Sequence, residues 1–145
     1  MKVADEDEAM KLTAIQILLV EDNRGDARLC SEALKESPLS YDLYVVQDGT
    51  QALNFLRREE SFVNAPRPNV VILDLNLPGK NGLEVLDDIR SDQELHDIPV
   101  IIFTSSASDL DVLIAYKKQA NAYLVKPSNI SEFNEVIDAI TALCP

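Results

Sequence analysis

Short apolar runs alternate with amphipathic stretches along this chain. Residues 15–20 (IQILLV), 70–73 (VVIL) and 100–103 (VIIF) are apolar almost without a break. Runs of that length lacking polar alternation predict strands buried on both faces, as in a parallel sheet. Residues 41–46 (YDLYVV) and 122–125 (AYLV), rich in β-branched and aromatic residues, predict two more strands. Between the strands, apolar residues recur at helical spacing. Ala27, Cys30, Ala33 and Leu34 share one face, Ala52, Leu53 and Leu56 a second, and Leu83, Leu86 and Ile89 a third. Leu110, Leu113 and Ile114 mark a fourth helix, with Val112 and Tyr116 on its outer side. Ile130, Phe133, Val136, Ile137 and Ile140 mark a fifth.

A strand-helix unit repeated five times, closed by right-handed crossovers, predicts an α/β fold: one doubly wound parallel sheet with helices on both faces. Residues 1–13 fall outside the pattern and read as a flexible acidic tail, leaving 14–145 as one domain. Residues 59–68 (EESFVNAPRP) read as a long loop whose prolines stop regular structure at its end.

Composition narrows the function. The 145 residues carry a net charge of −12, which disfavours binding to nucleic-acid phosphates. The two cysteines, Cys30 and Cys144, form no CxxC pair and predict reduced thiols rather than a zinc site. The acidic N-terminus is unlike a signal peptide, and no apolar run is long enough to span a bilayer. The expectation is a cytoplasmic protein with no membrane contact.

In a doubly wound sheet, ligands sit beyond the carboxyl ends of the strands. Those ends carry Glu21 and Asp22, then Asp74, then Thr104 with Ser105 and Ser106, then Lys126 and Pro127. Three carboxylates brought together repel one another unless a cation lies between them, and an oxygen-rich site of that kind suits Mg²⁺. Lys126 adds a compact positive charge and Thr104 a donor, both suited to a phosphoryl group. A carboxylate can attack phosphorus to give an acyl phosphate. Asp74 is thus the candidate acceptor.

The stretches LLVEDN, VVQDGTQALNFL, VVILDLNLPGKNG, PVIIFTSSAS and AYLVKP together resemble the receiver domain of two-component response regulators, the CheY-like fold, from about residue 15 to 143. The resemblance implies strand order 2-1-3-4-5, Asp74 as phosphoacceptor, and Thr104 and Lys126 as its partners in catalysis. It implies Mg²⁺ held by Asp22, Asp74 and the Asn76 carbonyl, with Glu21 acting through water. It also implies Thr104 and Tyr123 as a switch pair, and a cis peptide at Lys126–Pro127. The phrases EDNRGDARL, NFLRREESFVNAPRPN and LDLNLPGKNGLEVL are similar to stand-alone regulators of phytochrome histidine kinases. That likeness implies a phytochrome-type kinase as phosphodonor, a downstream phosphorelay or effector protein, and homodimerisation through the fourth helix, fifth strand and fifth helix face. With no output domain expected after Leu143, signalling would pass through a protein contact.

Two rivals remain open. An aspartyl phosphatase usually needs a second acid two residues after the nucleophile, and that position is Asn76. The expectation is therefore no enzyme beyond self-phosphorylation and self-dephosphorylation. A binding module with an unused switch would have little need of Glu21, Asp22, Asp74, Thr104 and Lys126 together. Isolated features carry less. Gly79 and Gly82 read as turn and cap residues, and His96 as a solvated loop residue.

Overall fold

The computed structural model describes residues 14–127 and 129–145; the tail read at 1–13 lies outside the described residues. Five strands, β1 (Ile15–Val20), β2 (Tyr41–Val46), β3 (Val70–Leu73), β4 (Val100–Thr104) and β5 (Ala122–Val125), pair in parallel in the order β2-β1-β3-β4-β5. Five helices connect them: α1 (Arg24–Glu36), α2 (Gly49–Arg57), α3 (Gly82–Ser91), α4 (Asp109–Lys117) and α5 (Asn134–Leu143). The order 2-1-3-4-5 puts the topological switch between β1 and β3.

The unbroken apolar runs are explained by two cores. Leu18, Val20, Val71, Leu73 and Ile102 face α2, α3 and α4, while Ile17, Leu19, Val70, Ile72 and Ile101 face α1 and α5. Neighbours in one strand therefore feed opposite layers, and each must be apolar.

The long loop before β3 is not structureless. Glu60–Phe62 forms a 3-10 turn that sets Phe62 against Phe55, which in turn meets Tyr44, with both ring pairs at 5.4 Å. Arg67 ties the loop to the segment before β4 through the Glu94 carbonyl at 2.6 Å and Asp97 at 2.8 Å.

Three expectations fail. In α4, Leu110 and Leu113, expected on the buried face, are 63% and 53% exposed. Ala115 is the buried residue and Val112 is half-buried. The sequence DLDVLIAYK is apolar nearly all round, so periodicity cannot select a side, and the small Ala115 permits the closest approach to the sheet. The Lys126–Pro127 bond, expected to be cis, is trans. The tertiary amide itself favours trans, by about 0.5–1 kcal/mol. Ile130–Phe133, read as the start of the fifth helix, is a 3-10 turn leading into it.

Candidate functional site

The strand ends are held in register beyond the strands themselves. Glu21 N donates to Val46 O at 2.9 Å, Asp74 N to Val20 O at 3.2 Å, and Lys126 N to Thr104 O at 2.8 Å. Each polar residue is thereby fixed by its neighbour's last carbonyl, and the side chains converge at one edge of the sheet.

Glu21, Asp22 and Asp74 each offer a carboxylate oxygen, and these atoms lie within 4.8 Å of one another. Glu21 and Asp74 are buried, and Asp22 is exposed. Lys126 Nζ stands among the carboxylates, 2.6 Å from Glu21, 2.8 Å from Asp74 and 2.8 Å from Asp26. One ammonium cannot balance this much negative charge. Burial, outweighing the Lys126 hydrogen bond and reinforced by the Asp74 charge, pushes the Glu21 carboxyl up to about 7. Asp74 moves the other way. Burial would raise it, but the Lys126 ammonium and the Asn76 N–H, donating to Asp74 Oδ1 at 3.1 Å, together hold it below the usual carboxylate range. Lys126 is held above the ordinary lysine range, because its three carboxylate partners outweigh burial. An under-neutralised set of hard oxygen donors that includes a buried Glu21 fits a divalent cation.

Asp26 is the site residue that sequence reading overlooked. It lies on α1, not at a strand end, so a search of strand ends passes over it. The available signal was its place in the first turn after Asn23, whose side chain caps the helix by accepting from Asp26 N at 3.0 Å.

Gly82 brings α3 against the chain at the end of β3. A Cβ there would collide with the Asp74 carbonyl and come within 2.7 Å of Leu75 Cα. Asn81 caps the same helix by accepting from Glu84 N at 3.0 Å. Gly79 turns the preceding loop at φ +71°, a left-handed conformation that glycine adopts freely.

Thr104 is fully buried, and its hydroxyl faces the Ser106 N–H at 3.5 Å. Ser106 Oγ bonds Asp111 at 2.7 Å, tying the β4–α4 loop to the first turn of α4. Tyr123 packs at the edge of the core and donates its hydroxyl to Ser106 O at 2.9 Å. The structure thus joins Thr104 and Tyr123 through one loop residue. Asn76 is exposed next to Asp74, and His96 is an exposed loop residue. Among the described residues, no helix is long and apolar enough to cross a membrane.

Comparison with known proteins bears on this arrangement. Residues 17–138 match the response regulator receiver domain family. Response regulator Rcp1 of Synechocystis is 41% identical over 124 residues, 86% of this chain and 84% of that protein. The phosphorylated cyanobacterial phytochrome response regulator RcpA superposes with a TM-score of 0.82 at 39% identity, covering 90% of this chain and 94% of that one. The Mn²⁺-bound form of Rcp1 superposes at 0.79 with 40% identity, covering 88% and 92%.

Proposed function

The chain belongs to the response regulator receiver domain family, and on that premise we propose that it stores a phosphoryl group on Asp74, received from a phytochrome-type histidine kinase. A receiver domain works with a histidine kinase; the finer choice of a phytochrome draws on the likeness to Rcp1 and RcpA. The observation that carries the reading is the 2.8 Å approach of Lys126 Nζ to Asp74 inside a cluster of further carboxylates.

Asp22, Asp74 and the Asn76 carbonyl would hold Mg²⁺, with Glu21 acting through bound water, and the ion would supply positive charge against the phosphoryl oxygens. The protein's own groups do the rest. A carboxylate oxygen of Asp74 forms the new bond to phosphorus, and the donor departs with the electron pair of the bond that breaks. Lys126 pairs with a phosphoryl oxygen. The Thr104 hydroxyl turns to donate to another, drawing on the β4–α4 loop. Tyr123, bonded to Ser106 in that loop, follows. The chain turns over no other substrate, since Asn76 stands where an aspartyl phosphatase needs its second acid.

The rearranged face then meets a downstream phosphorelay or effector protein in the cytoplasm. Leu110, Leu113, Tyr116 and Val125 are 63%, 53%, 50% and 47% exposed on α4 and β5. That apolar surface supports homodimerisation through α4, β5 and α5.

The test is incubation with Mg²⁺ and a small phosphodonor, followed by intact mass. The protein should gain one base-labile phosphoryl group, and Asp74→Asn should gain none. Labelling that persists in Asp74→Asn sinks the assignment. Phosphotransfer from candidate kinases, phytochromes first, tests the partner.

A further inference from the structure

We infer that Asp26 is a positioning residue for phosphorylation, holding the Lys126 ammonium at Asp74 while the other carboxylates of the site change partners. The inference rests on the reading of Asp74 as phosphoacceptor. Lys126 has three N–H donors, and three carboxylates meet it: Glu21 at 2.6 Å, Asp26 at 2.8 Å and Asp74 at 2.8 Å. Two of the three have other duties. Glu21 and Asp74 belong with Asp22 to the trio whose oxygens lie within 4.8 Å, and Asp26 stands outside it. A cation in that trio draws on Glu21 and Asp74. A phosphoryl group on Asp74 then turns its attacking oxygen into the bridging oxygen of an acyl phosphate, and Lys126 changes partner from that carboxylate to a phosphoryl oxygen. Asp26, outside the trio, takes part in neither change.

The geometry suits a fixed mount. Asp26 is the third residue of α1, and its own N–H is clamped by the Asn23 cap. α1 is pinned to the sheet through Cys30, Ala33 and Leu34, all buried. Lys126 is the mobile partner, a charge on a flexible four-carbon stem, and its side chain is 11% exposed. The Asp26–Lys126 bond spans 100 positions of sequence and ties the first helix to the segment after the last strand.

The test compares two substitutions that remove the same charge. Asp26→Ala loses the acceptor, whereas Asp26→Asn keeps an oxygen that Lys126 can reach. In the full chain with acetyl phosphate and Mg²⁺, Asp26→Ala should phosphorylate about tenfold more slowly, the scale expected when a charged group loses its alignment. Asp26→Asn should recover most of that rate. Mg²⁺ affinity, measured by calorimetric titration without phosphodonor, should shift by the same factor in both. Asp26→Ser, which favours a helix start but is too short to reach the ammonium, is carried alongside and should match Asp26→Ala. If Asp26→Ala and Asp26→Asn phosphorylate equally while the wild type is labelled, the inference is overturned and the reading of Asp74 stands. A wild-type chain that takes no phosphoryl group overturns both.

Discussion

Tyr123 donates its hydroxyl to the carbonyl of Ser106 at 2.9 Å, two residues beyond the buried Thr104. The bond crosses from β5 to the loop that follows Thr104, so the proposed switch pair shares one mechanical element. Tyr123→Phe removes the donor and leaves the ring. The cost should be about 1 kcal/mol of stability, the worth of an ordinary hydrogen bond. Backbone amides of Ser106 and Ser108 should exchange hydrogen faster in the unphosphorylated protein, while phosphorylation of Asp74 persists. Exchange unchanged from wild type would mean that Thr104 and Asp111 hold Ser106 without the Tyr123 bond.

Cation binding should make stability depend on pH in a definite direction. Glu21 has a folded-state value of about 7 against an ordinary 4.5. A raised carboxyl contributes stability fully below its unfolded value, and that contribution is lost as pH rises through the folded value. Asp74 is lowered and Lys126 raised, so neither contribution changes between pH 6 and 8. Protein stripped with a chelator should therefore be less stable at pH 8 than at pH 6, by roughly 1 kcal/mol from Glu21. A divalent cation competes with the Glu21 proton, so added Mg²⁺ should raise the melting temperature more at pH 8 than at pH 6. Thermal melts at both pH values, with and without Mg²⁺, decide this. Equal Mg²⁺ stabilisation at the two would contradict a cation bound beside Glu21.

What the sequence disclosed follows from the physics of each element. The three central strands were legible because both faces of a parallel sheet are covered there, which writes a nearly unbroken apolar run at Ile15–Val20 or Val70–Leu73, while the edge strands showed only in their β-branched and aromatic content. The convergence of Glu21, Asp22, Asp74, Thr104 and Lys126 was legible because polar residues ended those runs. Asp26 was not, since it reaches the cluster from a helix turn and carries no strand-end mark. The buried side of α4 was hidden by a helix apolar on every side. Arg90 was equally hidden. It donates to the carbonyls of Gln119, His96 and Ile98 and to Asn121 Oδ1, binding α3 to both ends of the β4–β5 region. Its acceptors are mostly backbone, which no side-chain pattern announces.

The misread face of α4 carries its own prediction. Leu113 and Tyr116 sit one helical turn apart and both are half exposed, with the Tyr116 hydroxyl accepting from Tyr123 N at 3.2 Å. The exposed apolar surface thus adjoins the strand that bears Tyr123, so a second chain docked there would sense any movement of that tyrosine. Leu113→Asp places a charge in the middle of that surface without touching the core. Because Leu113 is already exposed, folding stability should change by less than about 0.5 kcal/mol. Self-association should weaken at least about tenfold, since an unpaired carboxylate buried in an apolar contact costs more than 1.4 kcal/mol. Light scattering across a concentration series, with and without phosphodonor, measures both forms. A dimer that survives Leu113→Asp unchanged would move the contact to another face, and a wild type monomeric in both conditions would end the proposal of a homodimer.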